Sequence, residues 1–385
     1  MIANISLIIA LYIFIRLILP LPLKVRTRVI LTMLAILGTA RFAIMRAVFG
    51  GVGAIEAPRW LLLSTSLFQG ILLVLFLAAL ARDLVGLITL AFGPKRTKKY
   101  RKALYGLKAA IILAVISLFV SGLGLYGAAK VPEVKNTEVF LNHWPQELDG
   151  LKVAILADMH ICKFFDQKWV QEVVDRTNAQ KPDIIWLPGD MVDGTTVNRA
   201  PDVAPLAELK APYGVYGIMG NHEYISGALE WLPVFRRLGI DMLYNSHVII
   251  NIKGASFILA GLTDLTAQSN RYSLPGPDLA KSLLNAPQEL PIILLEHRPV
   301  RAKLNAAHND RIIFQVSGHT HGGMVPILKT AVKRINGGFV SGFYQVQNLK
   351  LLVVPGLGLW SGFPMRILNP SEITFLTIRT GQAPA

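Results

Sequence analysis

Two stretches of this 385-residue chain run for the width of a bilayer without one charged side chain: Trp60–Ala81, 22 residues, and Ala109–Ala129, 21 residues. Each exceeds the roughly 20 residues that carry a helix across about 30 Å of hydrocarbon, where a helix satisfies every backbone amide internally. Both are therefore read as transmembrane helices. The composition agrees, with 52% hydrophobic and 16% charged residues, whereas an ordinary soluble domain carries about 25% charged residues. Disorder, which needs low hydrophobicity and dense charge, is excluded on the same grounds.

The first 55 residues hold two further apolar runs. Met1–Leu23 contains Arg16, and Val29–Ile55 contains Arg41 and Arg46. The expected architecture is an N-terminal transmembrane α-helical anchor of about four spans over residues 1–130, with three spans as the alternative. Arg16 lies just before Pro20 and Pro22, where a helix should end, so its long side chain is expected to snorkel to the headgroups. A transport path lined by these arginines is disfavoured, because neither segment holds an acidic partner. A cleaved signal peptide fits poorly: no positive residue precedes the first apolar run, and further spans follow it.

The formal charge of +15 resembles a nucleic-acid signature until it is located. Residues 1–135 hold 17 Lys/Arg and three acids, Glu56, Asp83 and Glu133, for a net of +14; residues 136–385 hold the other 22 Lys/Arg and 21 acids, for a net of +1. No nucleic-acid partner is expected; the bilayer is. Six basic residues fall within 95–102, between the two clean spans, and the positive-inside rule makes that loop cytoplasmic. With four spans, 12 of the 17 basic residues share its side. The N-terminus and everything after Ala129 are then non-cytoplasmic, in a multi-pass protein of the cell membrane.

After Lys130 the pattern changes to short apolar runs rich in β-branched residues. Val153–Leu156, Ile184–Leu187, Val215–Ile218, Phe257–Ala260, Ile292–Leu295 and Ile312–Val316 read as buried strands. Asp166 is placed to N-cap a helix that carries Trp169, Val170, Val173 and Val174 on one face. Strand alternating with helix predicts an α/β layered domain with central β-sheets, spanning residues 136–385.

Polar clusters follow these strands: Asp158-Met-His160, Gly189-Asp190-Met-Val-Asp193, Gly220-Asn221-His222-Glu223, Glu296-His297 and Gly318-His319-Thr-His321. Loops at the carboxyl ends of strands converge on one crevice in open α/β sheets. Five of the eight histidines fall in these loops; His143, His247 and His308 do not. The pairs Asp158/His160 and His319/His321 put two side chains on one side of an extended segment. With one cysteine, Cys162, read as a small packing residue, neither a disulfide nor a CxxC zinc site can form. Any metal is held by His, Asp, Glu or Asn. Mixed oxygen and imidazole donors suit Mn, Fe, Zn, Co or Ni. Three carboxylates or amides with four imidazoles are too many for one tetrahedral ion and about right for two.

The order D-x-H, G-D-x-x-D, G-N-H-E, H, G-H-x-H resembles the calcineurin-like metallophosphoesterase superfamily. The tail from Pro355-Gly-Leu-Gly358 through Pro364-Met-Arg366 to Pro370-Ser-Glu372-Ile is similar to its bacterial membrane-associated branch, so the resemblance covers about Leu151 to Arg379. It implies that Asp158, His160 and His321 hold one divalent metal, that Asn221, His297 and His319 hold a second, and that Asp190 bridges them. His222 takes the place of the general acid, while Asp193 and Glu223 orient ligands by hydrogen bonding. The implied reaction is two-metal hydrolysis of a phosphate ester, with ions about 3.5–4 Å apart lowering the pKa of a bridging water and His222 protonating the leaving alkoxide. The anchor suggests a lipid-linked or envelope phosphodiester. The alternatives are a cytoplasm-facing pyrophosphatase of a nucleotide-linked lipid precursor and a non-catalytic metal-binding scaffold. Arg298 and Arg366 are candidates for contacting phosphate, or else for pairing with a local acid.

Overall fold

The computed structural model describes residues 2–382 except 52, 94 and 270, so residue 1 and residues 383–385, at the outer ends of the two predicted domains, lie outside the described residues. The chain divides into two compact units. One comprises Met1–Gly50, Ile55–Gly127 and Gly362–Met365; the other comprises Gly51–Ala54, Ala128–Ser361 and Arg366–Ala385.

The first unit is helical. Arg59–Ala91 is one helix of 33 residues and Leu107–Ala129 one of 23, and both are long and apolar enough to cross a membrane. Their exposed side chains are mostly apolar, including Leu87, Ile112, Val115 and Phe119, as helices that face lipid require. The sequence reads as four spans, but the structure gives two, or three if a broken pair counts as one. Val25–Thr39 and Arg41–Phe49 meet at a 64° bend, and the first apolar run yields only the shorter helical stretch Ser6–Ile18. That stretch ends in a π-helical turn, Phe14–Ile18, directly before Pro20.

The arginines of this unit do not simply reach for water. Arg41 is buried, with its Nε on Thr65 Oγ1. Arg16 gives its Nε to Asp83 Oδ2 at 2.6 Å. The acidic partner that Arg16 lacks within its own segment comes from a helix 67 residues away.

The second unit contains two six-stranded sheets. In chain order the strands are β1 Glu133–Leu141, β2 Leu151–Ile155, β3 Ile184–Pro188, β4 Val215–Ile218, β5 Asp241–Met242, β6 Ser246–Ile252, β7 Ala255–Gly261, β8 Ile292–Leu295, β9 Ile312–Ser317, β10 Gly342–Val346, β11 Leu349–Val353 and β12 Glu372–Thr380. One sheet runs β1-β12-β2-β3-β4-β5 and the other β10-β11-β9-β8-β7-β6. Both are mixed. The runs β2-β3-β4-β5 and β11-β9-β8-β7 are parallel; in the second sheet the edge pairs β10-β11 and β7-β6 are antiparallel, whereas in the first β12 is antiparallel to β2 and parallel to the edge strand β1.

Period-two alternation stacks the sheets. Val153 and Ile155 of β2, Ile184 and Trp186 of β3, Phe257 and Leu259 of β7, Ile293 and Leu295 of β8 and Phe314 and Val316 of β9 share one buried core. Each such side chain contributes about 1.5–3 kcal/mol on full burial. The alternate residues of the second sheet, among them Ile258, Ile292, Leu294 and Ile312, pack outward with Ala302 and Ala306 of the helix Ala302–His308. Outside the first sheet the helix Gln167–Ala179 buries Trp169, Val170, Val173 and Val174, and Asp166 accepts from Trp169 N at 3.2 Å at its start. The product is an α/β layered domain whose parallel strands deliver their carboxyl ends to one edge.

Candidate metal centre

All eight residues singled out from the sequence come together at that edge. Asp158 and His160 follow β2, Asp190 follows β3, Asn221 and His222 follow β4, His297 follows β8, and His319 and His321 follow β9. Side-chain contacts tie them into one network. His160 Nε2 lies 3.3 Å from His321 Nε2 and 3.7 Å from Asp190 Oδ2. Asp190 Oδ2 lies 3.1 Å from His297 Nε2, which is 3.2 Å from Asn221 Oδ1. The rings of His297 and His319 stand edge to face, 5.1 Å apart.

The local backbone explains why these side chains converge. Asp158, His160, Asp190, His319 and His321 all adopt left-handed φ, between 48° and 69°. Non-glycine residues avoid that region at a cost of order 1–3 kcal/mol each, and such strain persists only where the surroundings fix it. Here backbone bonds fix it: Asp158 N donates to Gly189 O, His160 N to Asp190 O, and Gly358 N to Asp158 O. Two glycines make the room. A Cβ on Gly220 would sit 2.3 Å from Asp190 Oδ1, and one on Gly318 would sit 2.4 Å from Asp158 Oδ2.

Hydrogen bonds behind the centre aim the ligand atoms. His297 Nδ1 donates to Pro188 O at 2.9 Å, turning Nε2 toward Asp190. Asp193 Oδ1 receives both His160 Nδ1 at 3.0 Å and His222 Nδ1 at 2.6 Å. An ionised carboxylate only accepts, so both histidines present Nε2 outward. Glu223, fully buried, accepts from Asp190 N, Val192 N and Gly220 N and so ties the loop after β3 to the loop after β4.

Charge in the centre is unevenly shared. Burial opposes the imidazolium of His297, but Asp190 and then Asp158 overcome it and raise its pKa to about 10. His222 is likewise opposed by burial and raised to about 10 by Asp193 and Asp190. Asp193 falls to about 2 against its burial, through His222 and His160. His319 and His321 are held well below the usual histidine range, first by burial and then by cationic neighbours, so they stay neutral as ligands must.

The donor set fits divalent metal ions. Among the described residues three groups bring ligand atoms within 4.8 Å of one another: Asp158/His160/His321, Asp190/His297/His319 and His160/Asp193/His222. His321 Nδ1 is buried with no hydrogen-bond partner among the described residues, a ring nitrogen with unused bonding capacity inside a ligand cluster.

The structure also separates the two arginines. Arg366 is buried and spends its guanidinium on the carbonyls of His321, Pro355, Gly356, Gly358 and Asn369, pinning the tail beneath the centre. Arg298 gives Nε to Asp264 Oδ2 at 2.9 Å and Nη2 to Thr266 Oγ1 at 2.7 Å, while its side chain stays partly exposed. Glu296 turns away from the centre, to Arg301 and Asn305. Sequence reasoning missed Asp264. The signal was present, since Gly261-Leu-Thr-Asp264 follows a strand just as the other clusters do. Cys162 is buried, and burial pushes its thiol up to about 12, in keeping with a packing residue.

Comparison with known proteins gives this arrangement a family. Residues 151–323 match the model of the calcineurin-like phosphoesterases. A transmembrane protein with metallophosphoesterase domain from Danio rerio is 29% identical over 327 residues, covering 84% of this chain and 74% of that one; its Bos taurus counterpart is 31% identical over 275 residues, covering 70% and 62%. An uncharacterized metallophosphoesterase of Campylobacter jejuni is 32% identical over 308 residues, covering 79% of this chain and 78% of its own length. The chain belongs to the calcineurin-like metallophosphoesterase family, whose members hydrolyse phosphate esters and typically depend on divalent metals.

Proposed function

We propose that this protein is a membrane-anchored phosphodiesterase using two divalent metal ions, with residues 1–130 as anchor and 136–385 as catalytic domain. The observation that carries the proposal is the convergence of the ligand groups Asp158/His160/His321 and Asp190/His297/His319, with a protonated His222 beside them. Asp158, His160 and His321 would hold one ion, Asn221, His297 and His319 the other, and Asp190 would bridge them. Bound there, Mn, Fe, Zn, Co or Ni ions would supply Lewis acidity, neutralising phosphoryl charge and easing ionisation of an attacking water.

The chain's own groups complete the chemistry. Asp193 holds His222 Nδ1 and keeps the ring charged, so Nε2 carries a proton for the leaving oxygen. His222 N donates to Asp190 Oδ1 at 2.8 Å, which fixes the donor relative to the bridging carboxylate. Arg298, held by Asp264 and Thr266, is poised to contact a substrate phosphate oxygen. Arg366, buried and with both Nη atoms bonded to carbonyls, is not.

Anchoring favours a lipid-linked or envelope substrate, because confinement to two dimensions raises encounter with such molecules. Four spans, with the shorter helix Ser6–Ile18 and the bent pair each read as an insertion beside the two long helices, would put both the N-terminus and the catalytic domain on the non-cytoplasmic side, with the basic loop 95–102 in the cytoplasm. The test is hydrolysis of bis-p-nitrophenyl phosphate, glycerophospholipids and lipid pyrophosphates by purified protein across a divalent-metal panel. Turnover of a diester supports the proposal; no turnover with any metal leaves only a scaffold. A C-terminal alkaline phosphatase fusion reports the side, and an inactive fusion favours the cytoplasmic pyrophosphatase.

A further inference from the structure

The helical unit holds a charged cluster that phosphate hydrolysis does not use. Asp83 Oδ2 accepts from Tyr12 Oη at 2.6 Å and from Arg16 Nε at 2.6 Å, while its Oδ1 accepts from Arg82 Nε at 3.1 Å and Nη2 at 2.9 Å. Two guanidinium groups thus surround one carboxylate, leaving one positive charge in excess. Among the described residues no hydrogen bond uses Arg16 Nη1 or Nη2, or Arg82 Nη1.

The cluster is built rather than incidental. The π-helical turn Phe14–Ile18 opens the backbone where Arg16 sits, and Arg82 Nη2 donates to the Arg16 carbonyl at 2.9 Å. Such turns concentrate at functional positions in helices. Both guanidinium carbons face the ring of Tyr105, at 5.6 Å for Arg16 and 4.7 Å for Arg82. Tyr105 approaches that closely only because residue 86 is glycine: a Cβ there would stand 2.0 Å from its hydroxyl oxygen.

Height along the helix identifies the ligand. Trp60–Ala81 covers about 33 Å at 1.5 Å per residue, one hydrocarbon thickness, and Arg82 comes next. Past the cluster Leu84, Leu87 and Phe92 remain exposed, so lipid surrounds the helix there too. A charged group in such surroundings is costly unless paired, and the nearest anions at the boundary of hydrocarbon and headgroups are lipid phosphates.

We propose that Arg16 and Arg82, held by Asp83 and Tyr105, form a binding site for a singly charged phosphate diester, the headgroup of an anionic phospholipid. The free guanidinium nitrogens grip the phosphate oxygens with charge-assisted hydrogen bonds, and the bound lipid completes the neutralisation that Asp83 leaves half done. The site is independent of the metal centre and of the reaction assigned to it.

The test uses the full-length protein in nanodiscs of phosphatidylcholine with graded phosphatidylglycerol, with retained lipid counted by native mass spectrometry. The wild type is expected to retain one phosphatidylglycerol in preference to phosphatidylcholine. Arg16→Gln and Arg82→Gln should each weaken that retention roughly tenfold, the loss expected for one charge-assisted contact, with diesterase activity unchanged. A second arm adds inorganic phosphate to protein in detergent: thermal stabilisation there, without any preference for phosphatidylglycerol, assigns the same site to a soluble phosphate. Equal retention of the two lipids together with no response to phosphate overturns the proposal on the wild type alone, whatever the variants do. So does a full preference for phosphatidylglycerol in both variants.

Discussion

Each unit of this protein gathers ionisable groups away from water, and the two gatherings are opposite in kind. Around Asp190, ligand-type atoms converge: His160 Nε2 lies 3.3 Å from His321 Nε2 and His297 Nε2 lies 3.2 Å from Asn221 Oδ1, with the Nδ1 atoms of His160 and His297 turned outward onto Asp193 and Pro188. Around Asp83, N–H groups converge, and one carboxylate faces two guanidinium groups. A surplus of acceptors awaits a cation and a surplus of donors awaits an anion. The tautomer and the neighbouring carboxylate, more than the residue types, decide which.

The sharpest way to break the first gathering is Asp190→Asn, which removes the carboxylate that touches His160, His297 and the His222 amide. Activity should fall by about three orders of magnitude or more, together with metal content measured by plasma mass spectrometry. His222→Ala should lower kcat by about 10²–10⁴-fold while metal content is kept, because no proposed ligand is lost. A scaffold would show no kcat to lose.

Asp193→Asn should cost about 10–100-fold and change the pH profile as well. Asp193 raises the pKa of His222, so its loss lowers that pKa and brings the alkaline fall in rate to lower pH. An unshifted alkaline limb would mean that another group is the acid. In the helical unit Asp83→Asn leaves two guanidinium groups unpaired, which should cost about 3–5 kcal/mol, read as a fall in Tm in detergent without any change in metal content.

The smallest effect concerns pH and metal. His297 carries a proton up to about 10 in the protein groups alone, and a ligand must release its proton. Metal affinity should therefore rise steadily from pH 6 to pH 9, as followed by calorimetric titration, and flat affinity would show that His297 is not a ligand.

Much of this was legible in the sequence, for a physical reason. Strands buried on both faces announce themselves as unbroken runs such as Ile292–Leu295, and glycine-flanked His and Asp clusters mark where those runs end. The edges were not legible. β1 is largely exposed and carries no apolar run, and β10 and β11 turn through Gln347 and Asn348 without a glycine, which Gln347 manages at a φ of 53°. Nor does any local pattern reveal that five site residues sit in left-handed backbone, or that Arg16 finds Asp83 across 67 positions. These depend on partners that only the folded chain supplies.

One topological detail bears on how the protein is made. β12, the last strand in the chain, lies between β1 and β2, the first two, and the carbonyls of residues 355–358 clasp Arg366 beneath Asp158. A ribosome threading the helical segments into the bilayer delivers β1 and β2 more than two hundred residues before their shared neighbour exists. The first sheet therefore stays open along that seam until β12 has been made. Only when β12 slots between β1 and β2 is that sheet continuous, so closing it is a late step in folding, taken after the strands on either side have been waiting for their shared neighbour.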